Sequence, residues 1–103
     1  IGVNGWPVER HEGEEVLWKF LEGRGYHDLP YRMIIPAAGP RNLFVVGRCA
    51  SGTREAQSSF RVTGPCFVMG EAAGLAAASG ALPADVDRAA LRRSLESRGV
   101  YFG

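Results

Sequence analysis

One segment, RVTGPCFVMGEAAGLAAASG at 61–80, constrains the fold of this chain more than any other. It predicts a helix that starts at Pro65, where a missing N–H costs nothing, runs to about Ser79 and is capped by Gly80. We expect its small residues to share one side: Gly70, Ala73, Gly74 and Ala77. A backbone or sheet could pack very closely there. The glycine spacing resembles a membrane dimer motif, but no uncharged run of membrane length surrounds it.

The first turn of this helix has a different character. The backbone amides of Gly64, Cys66 and Phe67 are expected to lack intrahelical acceptors, and the helix dipole adds positive charge there. No acidic side chain occupies the turn, and Arg61 lies just upstream. This pattern predicts a site for an anion or an electron-rich heterocycle, with a merely solvated helix start as the alternative.

The remaining pattern is strands first and helices last. Residues 15–22 and 31–36 are predicted to be strands that pair as a hairpin, whereas 1–13, 23–30 and 37–42 are expected to be irregular. The apolar run 43–47 has the pattern of a strand buried on both faces. Because few residues remain to flank such a strand, the chain is expected to be an α+β fragment of a larger α/β fold.

Two further helices are predicted. A short one starts at about Arg54. The last one has Asp87 as its N-cap, a hydrophobic staple of Val86 with Leu91, and Gly99 at its end.

Charge and cysteine content limit the partners. The chain has 103 residues with a formal net charge of +1, which argues against nucleic acid or an anionic membrane as a dedicated partner. Cys49 and Cys66, together with His11 and His27, lack zinc-ligand spacing, so no metal site is expected and both thiols are expected to be reduced. With no leader pattern at Ile1, a cytoplasmic protein is expected.

Residues 42–78, NLFVVGRCASGTREAQSSFRVTGPCFVMGEAAGLAAA, resemble the C-terminal portion of bacterial FAD-dependent oxidoreductases of the glutathione-reductase-like superfamily, distant relatives of fumarate reductase and succinate dehydrogenase flavoproteins. The segments at 6–11, 27–36 and 85–102 also look like that group. The resemblance implies an FAD cofactor and hydride transfer with a small organic substrate.

The resemblance also assigns cofactor residues. Gly47 and Arg48 would lie beside the ribityl–pyrophosphate region of FAD, where glycine permits close approach and arginine can bind phosphate. The turn Gly64-Pro65-Cys66-Phe67 would direct its N–H groups at the N1/C2-carbonyl edge of the flavin, which becomes negative on reduction.

Catalytic residues are harder to assign. Relatives often carry histidine at the position of Arg54, so a histidine-based acid–base step is in doubt. Arg32, Arg54 and Arg61 are the candidates for holding an anionic substrate or donating a proton. For each, a structural ion pair with Glu9, Glu55 or Glu71 is the alternative, and His11 and His27 could face the substrate pocket or be structural.

No G-x-G-x-x-G strand–turn–helix is present, so the dinucleotide-binding unit is expected to precede Ile1 in a longer protein. The resemblance then divides the chain into the end of a substrate or cap domain (1–36) and the C-terminal part of an FAD-binding domain (37–103). Alone, the chain is expected to bind FAD weakly or not at all. A non-enzymatic α+β interaction module is the competing reading, and the apolar 43–47 strand could form a homodimer.

Overall fold

Short antiparallel strands precede three helices in the computed structural model, which describes residues 1–103. The strands are β1 (Gly2–Asn4), β2 (Val8–Glu12), β3 (Glu15–Lys19) and β4 (His27–Leu29), and the helices are α1 (Arg54–Phe60), α2 (Thr63–Ala78) and α3 (Arg88–Ser97). Single 3₁₀ turns cover Tyr31–Ile34, Gly47–Cys49 and Pro83–Asp85. The predicted α+β class is confirmed. None of the helices has the length and apolar character needed to cross a membrane.

The predicted strand at 15–22 exists as β3, but its predicted partner is wrong. It pairs with β2, in the region expected to be irregular, and Glu12 lies opposite Glu15. Gly13, with φ of +61°, and Glu14 therefore form a two-residue hairpin loop. A glycine with positive φ at the first loop position followed by a residue with negative φ is a type II′ turn, which matches the twist of paired strands. The Gly-x signal was present in the sequence.

Residues 31–36 do not form the predicted strand. Tyr31–Ile34 is a 3₁₀ turn between two prolines, and Tyr31, Met33 and Ile34 are buried in a pattern that does not alternate. Pro36 also lacks the N–H that a ladder needs. The strand lies just upstream instead, within the predicted loop 23–30, where β4 pairs with β1 and Leu29 lies opposite Gly2.

The apolar run 43–47 joins no sheet, so the prediction of a strand buried on both faces is wrong for this chain. Leu43 is exposed, Phe44 to Val46 are only partly buried, and Gly47 starts a 3₁₀ turn. Apart from the bond that Gly47 O accepts from Ala50 N within the 3₁₀ turn (3.1 Å), one backbone hydrogen bond ties the run to the rest of the chain, from Val45 N to Ile34 O (2.9 Å). An extended segment becomes a strand only when a neighbour offers a ladder, and none is adjacent here.

The helices lie close to where they were predicted. α1 starts at Arg54, and Thr53 caps it by accepting a hydrogen bond from the amide of Ala56 (3.1 Å). α2 starts at Thr63, two residues earlier than predicted, so Pro65 is its third residue. This position also suits proline, because the first N–H groups of a helix have no intrahelical acceptor.

The packing of α2 corrects one expectation. Ala73 is buried with Met69, Ala72 and Ala76, whereas Gly70, Gly74 and Ala77 are exposed. A Cβ added at Gly70 or Gly74 would meet no atom within 4 Å. Alanines therefore make the close packing inside this chain, and the glycine side of α2 is open. Because the core also includes Leu29, Ile34 and Phe60, it draws on both sides of residue 36, and the domain boundary there stays a prediction.

Candidate cofactor and ligand sites

The turn Gly47–Cys49 lies against the start of α2. Gly47 has φ of +71°, a conformation that side chains rarely adopt, and a Cβ built on it would lie 3.8 Å from Sγ of Cys66. The structure thus brings together two of the predicted cofactor residues, one from the glycine turn and one from the helix. Arg48 and Cys49 follow as exposed residues on the same turn.

The free amides at this helix start are fewer than predicted. Since α2 starts at Thr63, the amide of Cys66 is already inside the helix and donates to Val62 O (3.3 Å). Phe67 lies one residue further along. The amides of Thr63 and Gly64 donate to no backbone carbonyl. The free donors are therefore Thr63 and Gly64, and the expectation of free amides at Cys66 and Phe67 is wrong.

The side chains around this turn leave its outer surface open. The Phe67 side chain is 74% exposed, and a Cβ at Gly64 would meet no atom within 4 Å. Pro65 is buried. The Cys66 thiol is directed inward and donates weakly to the carbonyls of Phe60 and Arg61 at 3.9 and 3.6 Å. No acidic residue lies in the first turn, so the positive end of the dipole is unneutralised within the chain.

Arg61 has a structural partner. Its guanidinium donates to the backbone oxygen of Glu9 (3.2 Å) and lies 4.0 Å from the Glu9 carboxylate. This contact ties the end of α1 to β2. The other two candidate carboxylates are used elsewhere, since Glu55 pairs with Lys19 and Glu71 with Arg98. The hydrogen bond from Lys19 lowers the pKa of Glu55.

Arg32 and Arg54 are exposed and take part in none of the ion pairs of the chain. Arg32 lines a cleft of about 570 Å³, whereas Arg54 and Arg61 do not line it. The three predicted catalytic arginines therefore do not share this cleft, and their catalytic role stays a prediction.

His27 belongs to a polar network that sequence reasoning missed. Trp6 N donates to Oδ1 of Asn4 (3.0 Å), which directs the Asn4 amide nitrogen to Oγ of Ser59 (2.8 Å) and Nε2 of His27 (3.0 Å). Ser59 donates to Trp6 O (2.6 Å). With Nε2 accepting, Nδ1 carries the proton and faces Asp28 O at 3.2 Å.

Both ring nitrogens of His27 are thus engaged by the protein, in a network that links β1, β4 and α1. No local sequence signal connects Asn4 to Ser59, which lie 55 positions apart. His11 is exposed on the hairpin beside Glu9 (3.4 Å). Neither histidine is placed as a free acid–base group.

The strand-then-helix order, with a glycine turn against an open and electropositive helix start, is consistent with a piece of an FAD-binding domain. The family model described as FAD dependent oxidoreductase matches residues 1–95. The chain therefore belongs to the FAD-dependent oxidoreductase family. No curated protein and no solved structure shows significant similarity to it.

Proposed function

We propose that this chain is the C-terminal segment of a larger flavoprotein, of bacterial and cytoplasmic origin and glutathione-reductase-like ancestry. In this proposal it completes the flavin end of an FAD site, where hydride passes between the flavin and a small organic substrate. Family membership over residues 1–95 supports the cofactor class. The observation that supports placing the flavin edge at the start of α2 is the contact between the Gly47 turn and the first turn of that helix.

The residues present fit a flavin edge. Gly47 brings backbone without a side chain to the helix start, and Gly64 leaves the approach to the Thr63 and Gly64 amides open. These two donors and the helix dipole favour a group that carries negative charge. Arg48 is exposed on the adjoining turn and is free of ion pairs, as a phosphate-binding arginine must be.

FAD, when bound, supplies the hydride acceptor or donor. The chain's own contribution is electrostatic: the amides of Thr63 and Gly64 stabilise negative charge at the flavin edge without having to reorganise. The inward-facing side chains of Pro65 and Cys66 anchor this turn on the rest of the chain. The exposed ring of Phe67 offers an apolar contact next to the turn. Arg32 and Arg54 remain candidates for binding an anionic substrate.

Gly64→Asp tests this proposal in the complete natural protein. An aspartate at the second position of α2 suits the helix dipole, so the fold should not be weakened, but its carboxylate repels a group that becomes negative. We expect FAD affinity to fall by about tenfold or more, or the flavin potential to drop by about 30 mV or more for the two-electron couple.

Gly74→Asp is the matched control, because Gly74 is equally open on the same helix but far from its start. It should leave flavin binding and potential unchanged. Equal effects of the two substitutions, or none from Gly64→Asp, would contradict the placement of the flavin. A complete protein that purifies colourless and takes up no FAD would contradict the cofactor itself.

The hairpin favours a second function, that of a protein-interaction module. Its apolar side chains are well exposed: Val16 42%, Leu17 44%, Trp18 48% and Phe20 73%. Val16 and Trp18 share one face of β3, and neighbouring exposed apolar side chains can mark a contact surface. Flavin uptake by the complete protein separates the two functions, since a cofactor-free module would take up none.

A further inference from the structure

The cleft lined by Arg32 lies apart from the helix start described above. It opens between the 3₁₀ turn at Tyr31–Ile34, the segment containing Ser51 and Gly52, and α1. Its volume of about 570 Å³ is within the range of clefts that bury small organic ligands. None of the residues assigned to the flavin edge lines it.

The only arginine or lysine of the lining is Arg32. Its neighbours Tyr31 and Met33 are buried, so Arg32 is held at the cleft by a turn that is anchored on both sides. The guanidinium forms no ion pair with any carboxylate of the chain. A guanidinium is planar and can donate two parallel hydrogen bonds, so an unpaired one at a cleft is suited to binding a carboxylate.

Ser51 is fixed beside this turn. Its amide donates to Met33 O (2.8 Å), which ties the segment after the Gly47 turn directly to the residue next to Arg32. Both Ser51 and Arg32 line the cleft. The Ser51 hydroxyl is therefore a second hydrogen-bond donor in the lining that an anion could use.

The other titratable residues of the lining, His27 and Asp28, do not pair with Arg32. His27 has both ring nitrogens engaged by Asn4 and the Asp28 carbonyl, so it adds no free donor. Asp28 also lines the cleft, but its carboxylate makes no ion pair with Arg32. Its charge raises the pKa of the Ile1 ammonium, and Asp28 also lines a second, smaller cavity beside Ile1.

The rest of the cleft is apolar. Leu29, Met33 and Phe60 are core residues that reach its lining, and Ile35 and Ala56 extend the apolar wall. The Phe60 ring is buried and packs closely against Gly52, since a Cβ added at Gly52 would lie only 2.7 Å from it. The cleft therefore combines one cationic end with a preformed apolar wall.

We propose that this cleft binds an organic monocarboxylate with an aromatic or branched aliphatic body, with its carboxylate on Arg32 and Ser51 and its body against Ile35 and Ala56, behind which Met33 and Phe60 are buried. The inference deepens the proposed function, in which Arg32 is a candidate for binding an anionic substrate, but the two can fail separately, because carboxylate binding can be measured with no flavin present.

The test is a titration of the chain with 3-phenylpropionate, followed by amide chemical shifts in NMR. The shifts should change at Arg32, Met33, Ser51 and Gly52. The neutral 3-phenylpropionamide should bind at least about tenfold more weakly, since it loses the charge-assisted hydrogen bonds. Acetate and inorganic phosphate, which have no apolar body, should also bind more weakly than 3-phenylpropionate.

Arg32→Ala should weaken 3-phenylpropionate binding by about tenfold or more and leave binding of the amide unaffected. The affinity of Arg32→Lys for 3-phenylpropionate should lie between those of the unaltered chain and Arg32→Ala. Arg93→Ala is the matched control: Arg93 is exposed on α3, free of ion pairs and outside the cleft. The proposal would be overturned if 3-phenylpropionate does not bind, or if the acid and the amide bind with equal affinity. Equal binding of acetate or phosphate, or equal losses of affinity from Arg32→Ala and Arg93→Ala, would also overturn it. Because Arg32 is exposed, Arg32→Ala and Arg32→Lys should both leave the thermal transition of the chain unchanged.

Discussion

At the scale of single residues, hydrogen bonds within the protein decide which polar groups are free to meet a ligand. His27 and Arg61 looked like candidates for chemistry, but the first is engaged at both ring nitrogens and the second binds Glu9. Arg32 and the amides of Thr63 and Gly64 remain free. Sequence alone could not separate these groups, because their partners come from distant parts of the chain.

Tyr31 gives a prediction at this scale. Its hydroxyl donates to Pro83 O (2.5 Å), and burial raises its pKa, although the Arg88 guanidinium over the ring acts in the opposite direction. A pKa raised by folding means that the stabilisation is fully present below the unfolded pKa of about 10 and is lost as pH rises through the folded value.

Tyr31→Phe should therefore cost about 1–3 kcal/mol in the free energy of unfolding at neutral pH, because the Pro83 carbonyl loses its donor. It should also remove part of the decline in stability above about pH 10. Urea unfolding at neutral and alkaline pH measures both effects. Tyr101→Phe, at a side chain that is 65% exposed, is the control and should change neither. An alkaline decline as steep in Tyr31→Phe as in the parent would contradict this role.

At the scale of elements, helix ends are defined by contacts within a few residues. Asp87 accepts from the amide of Ala90 (3.0 Å), and Val86 and Leu91 are both buried as the staple requires. At the other end Gly99 has φ of +90°, and Val100 N donates to Leu95 O (3.0 Å), which is a Schellman motif.

Asp87→Ala should cost about 1 kcal/mol, because it leaves a helix amide without its cap. For a chain of this size the thermal midpoint should fall by about 4–8 °C. Asp85→Ala, at an exposed aspartate two positions upstream that caps no helix, should shift the midpoint much less. Calorimetry on the three proteins measures the difference, and similar midpoints for both variants would show that the loss of charge matters rather than the loss of the cap.

Local signals of this kind explain what could be predicted. The helix start at about Arg54, the N-cap Asp87 and the terminal Gly99 were predicted correctly, because the groups that define these ends are nearby in sequence. The strand partners could not be predicted in the same way: β1 pairs with β4 across about two dozen residues, and the 43–47 run has strand composition but no neighbour. For the candidate site, the contact of Gly47 with Cys66 and the identity of the free amides both depend on the tertiary structure and on where α2 begins, and the cofactor role of these residues stays a prediction.

At the scale of the whole molecule, three surfaces expose apolar or small residues that do not pack against the rest of the chain. These surfaces are the hairpin, the glycine side of α2 and the run at 43–46. We propose that the run at 43–46 is a self-association surface. Its backbone is extended with a single hydrogen bond to the rest of the chain, and Leu43 is 44% exposed. An unpaired extended segment is a template for pairing with another chain.

Leu43→Arg tests this surface. If two copies pair through 43–46, the substitution places an arginine in the interface with no carboxylate of the run to pair with, and burying this unpaired charge costs several kcal/mol. The dissociation constant measured by sedimentation equilibrium should then rise by about a hundredfold or more. Val16→Arg places the same charge on a side chain of similar exposure (42%) in the hairpin and should leave association unchanged. If the unaltered chain stays monomeric at high concentration, pairing through this run is contradicted. If only Val16→Arg abolishes association, pairing through this run is also contradicted and the hairpin is the association surface.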